Sequence, residues 1–470
     1  MKLYNSQTGQ KEPFTPIEPG KVRLYACGPT VYDYIHVGNA RPIIVFDVLR
    51  RYMEFRGLAV TFVQNFTDID DKIIDRANRE GVTSEALSER FIAEYYTDAH
   101  GLGVKDATVH PKATENIEGI IDAVQTLIDK GFAYAIDGDV YFRTAQSAEY
   151  GKLSGQPLDD LKAGARVDAN TKKESPLDFA LWKAAKPDEP FWSSPWGNGR
   201  PGWHIECSVM ANRYLGKTID IHCGGRDLVF PHHENEVAQS EALNGCKFVN
   251  LWMHNGFLSI DNRKMSKSLG NFFTVRDAAA AYGYDTIRMF MLMSHYRSPL
   301  NYSGEILAQA KSGLERLYTA VDNLAFLVEN GTEHAPSEQE SAFMNRLGNY
   351  RARFIEVMDD DFNTADGIAV IFELVRDVNT IIAEAKTPSR AFAARVLQAI
   401  EELAGVLGLF YARSGKSADL DAQVEALIEA RQQARAAKNW GEADRLRDEL
   451  KAMGILLEDT PQGVKWKMES

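Results

Sequence analysis

"KVRLYACGPTVYDYIHVGNARPIIVFDVLRRYMEFRG", Lys21 to Gly57, decides the architecture. "KVRLYACG" is an apolar run of strand length. "ARPIIVFDVLRRYMEFRG" is helical in pattern and stops at Gly57, a residue favoured just past a helix end. "AVTFVQNFTDIDDKII" follows as a second strand running into an acidic, helix-starting segment, Asp68, Asp70 and Asp71. Strand, helix and strand at this spacing predict a βαβ unit and therefore a parallel sheet. Between the first strand and the helix lies "CGPTVYDYIHVGN", Cys27 to Asn39, where a phosphate-binding turn would sit. Glycine is sparse there, and a thiol stands at its mouth.

Outward from this unit, residues of about 115 to 200 break the α/β rhythm. "DGDVYFRTAQSAEYGKLSGQP" suggests antiparallel hairpins, and "KPDEPFWSSPWGNGRPGW" a loop rich in Pro, Gly and Trp, as an insertion would be. The α/β pattern resumes in "TIDIHCGGRDLVFPHHENEVAQSEAL" and "FVNLWMHNGFLSI". From about Gly304 to Leu409 apolar residues recur at i, i+3, i+4 and i+7, which predicts a helical bundle. The polar linker "ARSGKSADLDAQ" then leads to a basic helix and "ILLEDTPQGVKWK", read as small strands.

The chain has 470 residues, material for about three domains. No run of about 18 apolar residues predicts a membrane span. The N-terminus lacks the apolar core of a signal peptide, so a cytoplasmic protein is expected. Four cysteines are too few for a disulfide framework and point to metal binding or catalysis instead. A net charge of −13 argues against blanket attraction to nucleic acid but permits a local basic groove.

Two short motifs carry chemistry. His36-Val37-Gly38-Asn39 opens a helix, where unpaired N–H groups and the helix dipole favour phosphate. "KMSKS", Lys264 to Ser268, sets two lysines three apart in a loop, and lysines serve phosphate as point charges. Potential metal ligands are also present. His232 and Glu236 are four apart and share a helical face; His233 and Glu236, three apart, do so as well, and spacing does not choose between them. Cys27 and Cys207 would complete a tetrahedral N/O/S set, although thiols so far apart in sequence read more simply as buried reduced cysteines. H-E-x-x-H is absent, since Val stands at 237.

Taken together, the two motifs resemble the signature pair of the class I aminoacyl-tRNA synthetases, and the chain is similar to the cysteinyl-tRNA synthetase family over almost its whole length. The match runs through "YACGPTVYDYIHVGNARP", "NFTDIDDKII", "GWHIECSVM", "DIHCGGRDLVFPHHENEVAQ", "HNGFLSIDNRKMSKSLGN" and "AKNWGEADRLRDEL". The resemblance implies an α/β fold: a Rossmann-type parallel-sheet catalytic domain (1–255) interrupted by a connective insertion at about 115–200. It further implies a stem-contact region with the KMSKS loop (256–303), a helical bundle (304–410) and a small C-terminal anticodon-binding domain (421–470).

It also implies a reaction. ATP and L-cysteine give cysteinyl-adenylate and pyrophosphate, then the acyl group passes to the terminal adenosine of cysteine tRNA and AMP leaves. By motif correspondence His36, Gly38, Asn39, Lys264, Ser266 and Lys267 bind ATP, accompanied by Mg²⁺, and His36, Asn39, Lys264 and Lys267 stabilise the transition state. Asn39 departs from the histidine usual in the wider class. Cys27, Cys207, His232 and Glu236 are the family's ligands for one Zn²⁺, which takes the substrate thiolate. Soft sulfur prefers zinc over an alcohol, so serine is rejected and no proofreading domain is expected. Thr67, Trp203 and Asp227 are expected at the substrate, Asp227 on a polar group of it or on the ribose. Cys223 and Cys246 fall outside these sets. Arg431, Arg435, Trp440 and Arg447 are expected to contact tRNA. A monomer with no membrane partner is anticipated. The related ligase joining cysteine to an amino sugar shares the catalytic half, and the tRNA-binding end argues against it.

Overall fold

The computed structural model describes residues 1–155, 172–261, 263–264, 273–385, 387–411, 418–460 and 463–468. It resolves into two compact units, Met1–Ala310 with Glu356–Ala365, and Lys311–Ile355 with Asp366–Ser470.

The first unit opens with a hairpin, β1 (Lys2–Asn5) and β2 (Gln10–Pro13). β3 (Lys21–Ala26), α1 (Val37–Phe55) and β4 (Ala59–Gln64) form the expected βαβ unit, with β3 and β4 parallel from Lys21↔Ala59 to Ala26↔Gln64. α1 starts earlier than the apolar pattern alone suggests, because His36 and Asn39 cap it. Asn39 N–H donates to His36 Nδ1 and His36 N–H donates to the Asn39 side-chain oxygen Oδ1, each at 3.2 Å. Gly57 sits two residues beyond the helix at φ 83°, the left-handed conformation that ends it without strain.

The chain continues through α2 (Asp71–Glu80), α3 (Ser84–Gly101) and α4 (Ile117–Asp129). Asp70 caps α2 by accepting from Lys72 N–H at 3.0 Å, whereas Asp68 is buried and binds Thr114. Next comes an antiparallel sheet of order β5-β6-β7-β9-β8: β5 (Ala133–Ile136), β6 (Asp139–Phe142), β7 (Phe179–Ala184), β8 (Trp192–Ser194) and β9 (Gly197–Pro201). Phe142, Leu181 and Trp182 pack it onto α4 in a core that also takes in Ile205, Val209 and Ala238 from later in the chain.

α5 (Trp203–Leu215) returns the chain to the parallel sheet through β10 (Ile219–Gly225), α6 (Glu234–Asn244) and β11 (Val249–Asn255). The sheet order is β11-β10-β3-β4, all parallel. From β3 the chain moves outward to β4, and from β10 it moves the opposite way to β11. The topological switch therefore lies between β3 and β10, where open α/β sheets bind ligands at the carboxyl ends of strands. β12 (Leu258–Ile260), β13 (Arg263–Lys264), α7 (Val275–Tyr282), α8 (Tyr284–Leu292) and β14 (Leu300–Tyr302) complete the unit, with strand order β13-β12-β14.

α9 (Gly304–Asn330), α10 (Glu338–Asp359), α11 (Thr364–Glu384) and α12 (Arg390–Val406) are long helices, as the periodicity predicts. The second unit ends with α13 (Ala418–Ala436), α14 (Trp440–Ala452) and the antiparallel pair β15 (Ile455–Thr460) and β16 (Gly463–Met468). No helix of the described residues is long and apolar enough to cross a membrane.

Candidate active site and metal centre

At the switch point Cys27 directly follows β3, and the next residue crosses the end of β4. A Cβ on Gly28 would stand 1.6 Å from the Asn65 carbonyl oxygen, so only glycine lets the two strand ends approach this closely. Asn65 fixes the crossing: its side-chain oxygen accepts from Gly28 N–H at 3.0 Å and from the Tyr25 hydroxyl at 3.1 Å.

The structure brings Cys27, Cys207, His232 and Glu236 together. Their ligand atoms all lie within 4.8 Å of one another. Cys27 Sγ is 3.6 Å from Cys207 Sγ and 3.3 Å from Glu236 Oε1, and His232 Nε2 is 3.1 Å from that oxygen. Cys207 projects from α5 and Glu236 from α6, while His232 lies in the wide turn Val229–His233 before α6. Pro231 falls in that turn, and the helix proper begins at Glu234. An overlapping set shares Cys27 and Glu236 and adds His222 and His233, so both adjacent histidines face the cluster.

Electrostatics follow from burial. The Cys27–Cys207 hydrogen bond leads the effects that lower the Cys207 thiol to about 6, against the cost of burial. Burial and the neighbouring Cys207 sulfur push the Cys27 thiol well up. Burial opposes charge on His232, yet Glu236 and the Cys207 sulfur raise it to about 10. Glu236 is held well below the usual carboxylate range by His222 and His232 in spite of its burial. Two thiols, an imidazole and a carboxylate converge here, with Cys207 and Glu236 biased towards their charged forms, and as a donor set they fit a tetrahedral metal ion whose binding would release the protons on Cys27 and His232.

Of the groups around this set, sequence reasoning weighed only His233, as an alternative ligand, and missed the rest. His222 Nε2 lies 2.9 Å from Glu236 Oε2, His233 Nδ1 lies 2.8 Å from His254 Nε2, and His254 Nδ1 lies 2.8 Å from Ser6 Oγ. His204 Nδ1 is 2.8 Å from His232 Nδ1. Burial pushes His204 and His233 down, and His254 down to about 3, so these rings are neutral supports. The available signal was position, since His222 and His254 lie near the carboxyl ends of β10 and β11.

The remaining candidates are dispersed around the cluster. Trp203, 40% exposed, is no core residue; its ring stacks on His232 with centroids 4.1 Å apart. Thr67 is buried, and its hydroxyl donates to Glu206 Oε2 at 2.8 Å. Asp227 is exposed on the turn after β10. His36, Gly38 and Asn39 form the first turn of α1, and because His36 Nδ1 accepts, its ring proton sits on Nε2. Lys264 pairs through its backbone with Ser259 in β12, while Ser266 and Lys267 lie outside the described residues. Cys223 is buried in β10 and Cys246 is exposed.

In the second unit Arg431 is 9% exposed, whereas Arg435, Trp440 (60% exposed) and Arg447 stand at the surface. Arg447 pairs with Asp444 at 3.3 Å and Asp448 at 3.5 Å, and Arg445 with Glu442 and Glu449, so the stripe is laced with carboxylates.

Comparisons with known proteins bear on this arrangement. Residues 13–312 match the model of the class I (C) tRNA synthetase catalytic domain, 353–411 the DALR domain, and 417–466 the cysteinyl-tRNA ligase anticodon-binding domain. The chain is 56% identical over 465 residues to a cysteine–tRNA ligase of Caldicellulosiruptor saccharolyticus, covering 99% of each chain. It is 55% identical over 467 residues to one of Clostridioides difficile, covering 99% of this chain and 100% of that one. In fold it is similar to Mycobacterium tuberculosis methionyl-tRNA synthetase in complex with methionyl-adenylate, with a TM-score of 0.61 at 16% identity over 82% of this chain and 89% of that one.

Proposed function

The chain belongs to the cysteinyl-tRNA synthetase family, and from that premise we propose that it couples cysteine to tRNA through cysteinyl-adenylate, with one Zn²⁺ at the floor of the amino-acid pocket. The observation that carries the reading is the convergence of Cys27, Cys207, His232 and Glu236 at the switch point of the sheet, beside the start of α1. Of the two overlapping sets, the one with both thiols suits zinc better, because thiolate is its softer ligand. A bound Zn²⁺ would supply a soft Lewis acid that takes the substrate sulfur as thiolate and leaves serine without a matching partner.

Residues of the chain do the rest by positioning. Trp203 walls the pocket over His232, Thr67 sits at its buried side, and Asp227 offers a carboxylate to a polar group of the substrate or the ribose. His36 presents Nε2–H, and the α1 amides present N–H groups, to the ATP phosphates, with Gly38 admitting close approach and Asn39 holding the His36 backbone. Lys264 and Lys267 neutralise charge growing on the departing pyrophosphate, Ser266 contributes to holding the nucleotide, and Mg²⁺ is bound to it. Arg435, Trp440 and Arg447 offer cations and a stacking face to tRNA; their surface ion pairs are weak enough to yield to phosphate. Arg431, turned inward, is left out of that contact surface.

Two measurements test this. Incubation with ATP, cysteine and cysteine tRNA is expected to yield the aminoacyl ester. Adenylate formation without charging would point instead to the amino-sugar ligase. Freshly purified protein is expected to hold about one zinc per chain, the complement of one four-ligand site; protein without zinc would refute the metal floor.

A further inference from the structure

Arg41 lies one helical turn into α1, two residues past Asn39, and is fully buried. Among the described residues no carboxylate pairs with it. Its guanidinium instead donates to backbone carbonyls: Nη1 to Gly256 at 2.8 Å and Phe257 at 3.0 Å, Nη2 to His295 at 3.2 Å and Ser298 at 2.6 Å. Burying a cation without an anion is costly, and here burial lowers its pKa to about 10. A planar fork of donors meeting four carbonyl oxygens offsets that cost and fixes geometry as a flexible ammonium would not.

The place of those carbonyls matters. Gly256 and Phe257 lead directly into β12, the strand that enters the segment carrying Lys264 to Ser268. The 295–298 stretch leads into β14, which pairs with β12. Gly256 is pressed onto that stretch, since a Cβ there would stand 2.5 Å from the Ser298 oxygen and 2.6 Å from the Arg297 oxygen. The far side of the same segment returns to α1 as well: His36 forms an antiparallel bridge with Thr274, Val37 N–H donates to Phe273 O at 3.2 Å, and Val275 N–H donates to Ile35 O at 2.9 Å. Both roots of the 261–272 segment are thus fastened to the first turns of the helix that begins at His36.

We propose that Arg41 is a positioning residue for nucleotide activation, setting the distance between the His36–Asn39 phosphate site and the root of the lysine-bearing segment. The proposal rests on the functional reading above. Arg41 touches no reacting atom and acts through Gly256 and Phe257. A displacement of the two phosphate-binding segments by about 1 Å is enough to cost on the order of 100-fold in rate.

The test is cysteine-dependent ATP–pyrophosphate exchange with the full-length metal-loaded protein. Arg41→Met keeps the side-chain length and removes every donor. It is expected to lower kcat/KM for ATP by about 100-fold, with the KM for cysteine and the metal content unchanged, and Arg41→Lys recovers part of the loss. Gly256→Ala strains the same joint through the backbone that accepts from Arg41, leaving the guanidinium itself in place, and the same ATP-selective defect is expected. Wild-type ATP kinetics in folded Arg41→Met, or equal loss of ATP and cysteine affinity together with metal, would overturn the assignment. If Arg41→Met does not fold, Gly256→Ala decides by the same criterion. If the wild type shows no cysteine-dependent exchange, the functional reading is what fails. Calorimetric affinity for MgATP then decides the role of Arg41, supported by weaker binding in the variants and refuted by equal binding.

Discussion

Asp47→Asn puts a number on how α1 is seated beneath the candidate site. Asp47 is 1% exposed on α1, and its Oδ2 accepts from Arg288 Nη2 at 2.5 Å and from Arg51 Nε at 2.8 Å. Its Oδ1 accepts from Lys105 N–H at 3.0 Å. Arg288, on α8, is itself fully buried and spends its other terminal nitrogen on Leu102 O at 3.0 Å. The substitution is nearly isosteric, so it makes no cavity, yet it removes the carboxylate charge that faces the buried Arg288 guanidinium. Breaking a buried pair in this way costs about 3–5 kcal/mol. In a unit of this size that is a fall in Tm on the order of 10 °C. Burial favours the protonated acid, but Arg288 and Arg51 outweigh it and hold the Asp47 carboxyl below its ordinary range. The stabilisation is therefore present above the unfolded value of about 3.9 and is lost as pH falls through the folded value. Thermal unfolding of both proteins should show the full gap at pH 7 and a narrowing gap below about pH 4. Equal Tm values at pH 7, or a gap that widens on acidification, would refute this account of the pair.

Three further outcomes are expected. Trp203→Ala removes the ring stacked on His232 and should raise the KM for cysteine about 2–12-fold, the worth of one aromatic pair, while the KM for ATP stays unchanged. Glu206 is buried and its carboxyl is pushed well up by that burial, so its contribution to stability falls as pH rises. Glu206→Gln should therefore match or exceed the wild type in Tm at pH 8, whereas Glu206→Ala takes away the acceptor of the buried Thr67 O–H and should cost about 1–3 kcal/mol. Trp440→Ala should leave pyrophosphate exchange intact and slow tRNA charging, a base stack being worth about 1–3 kcal/mol; a matching fall in exchange would place Trp440 in folding instead.

The parallel-sheet core was legible because β3, α1 and β4 each carry an unmixed local pattern, with Gly57 as a clear stop. The start of α1 was less so, since the residues read as a ligand motif, His36 and Asn39, also build the helix cap. The Cys/His/Glu cluster was not legible from spacing. Cys27 and Cys207 lie on different elements, and only the order β10-β3 and the packing of α5 and α6 bring them together. His222 and His254 gave no distinguishing signal, being set among the other polar residues of their strands, Asp220, Asn250 and Asn255. Arg431 looked like part of a basic stripe, but it continues the i, i+4, i+7 row of Val424 and Ile428 and is buried with them. Counting helical positions rather than charges would have turned it inward.

The most direct test of the central claim is the initial rate of ATP–pyrophosphate exchange by freshly purified protein, with cysteine and then serine at equal concentration. The account predicts rapid exchange with cysteine and almost none with serine, because the floor of the pocket selects sulfur rather than shape. Comparable rates with both amino acids, or no exchange with cysteine, would contradict it.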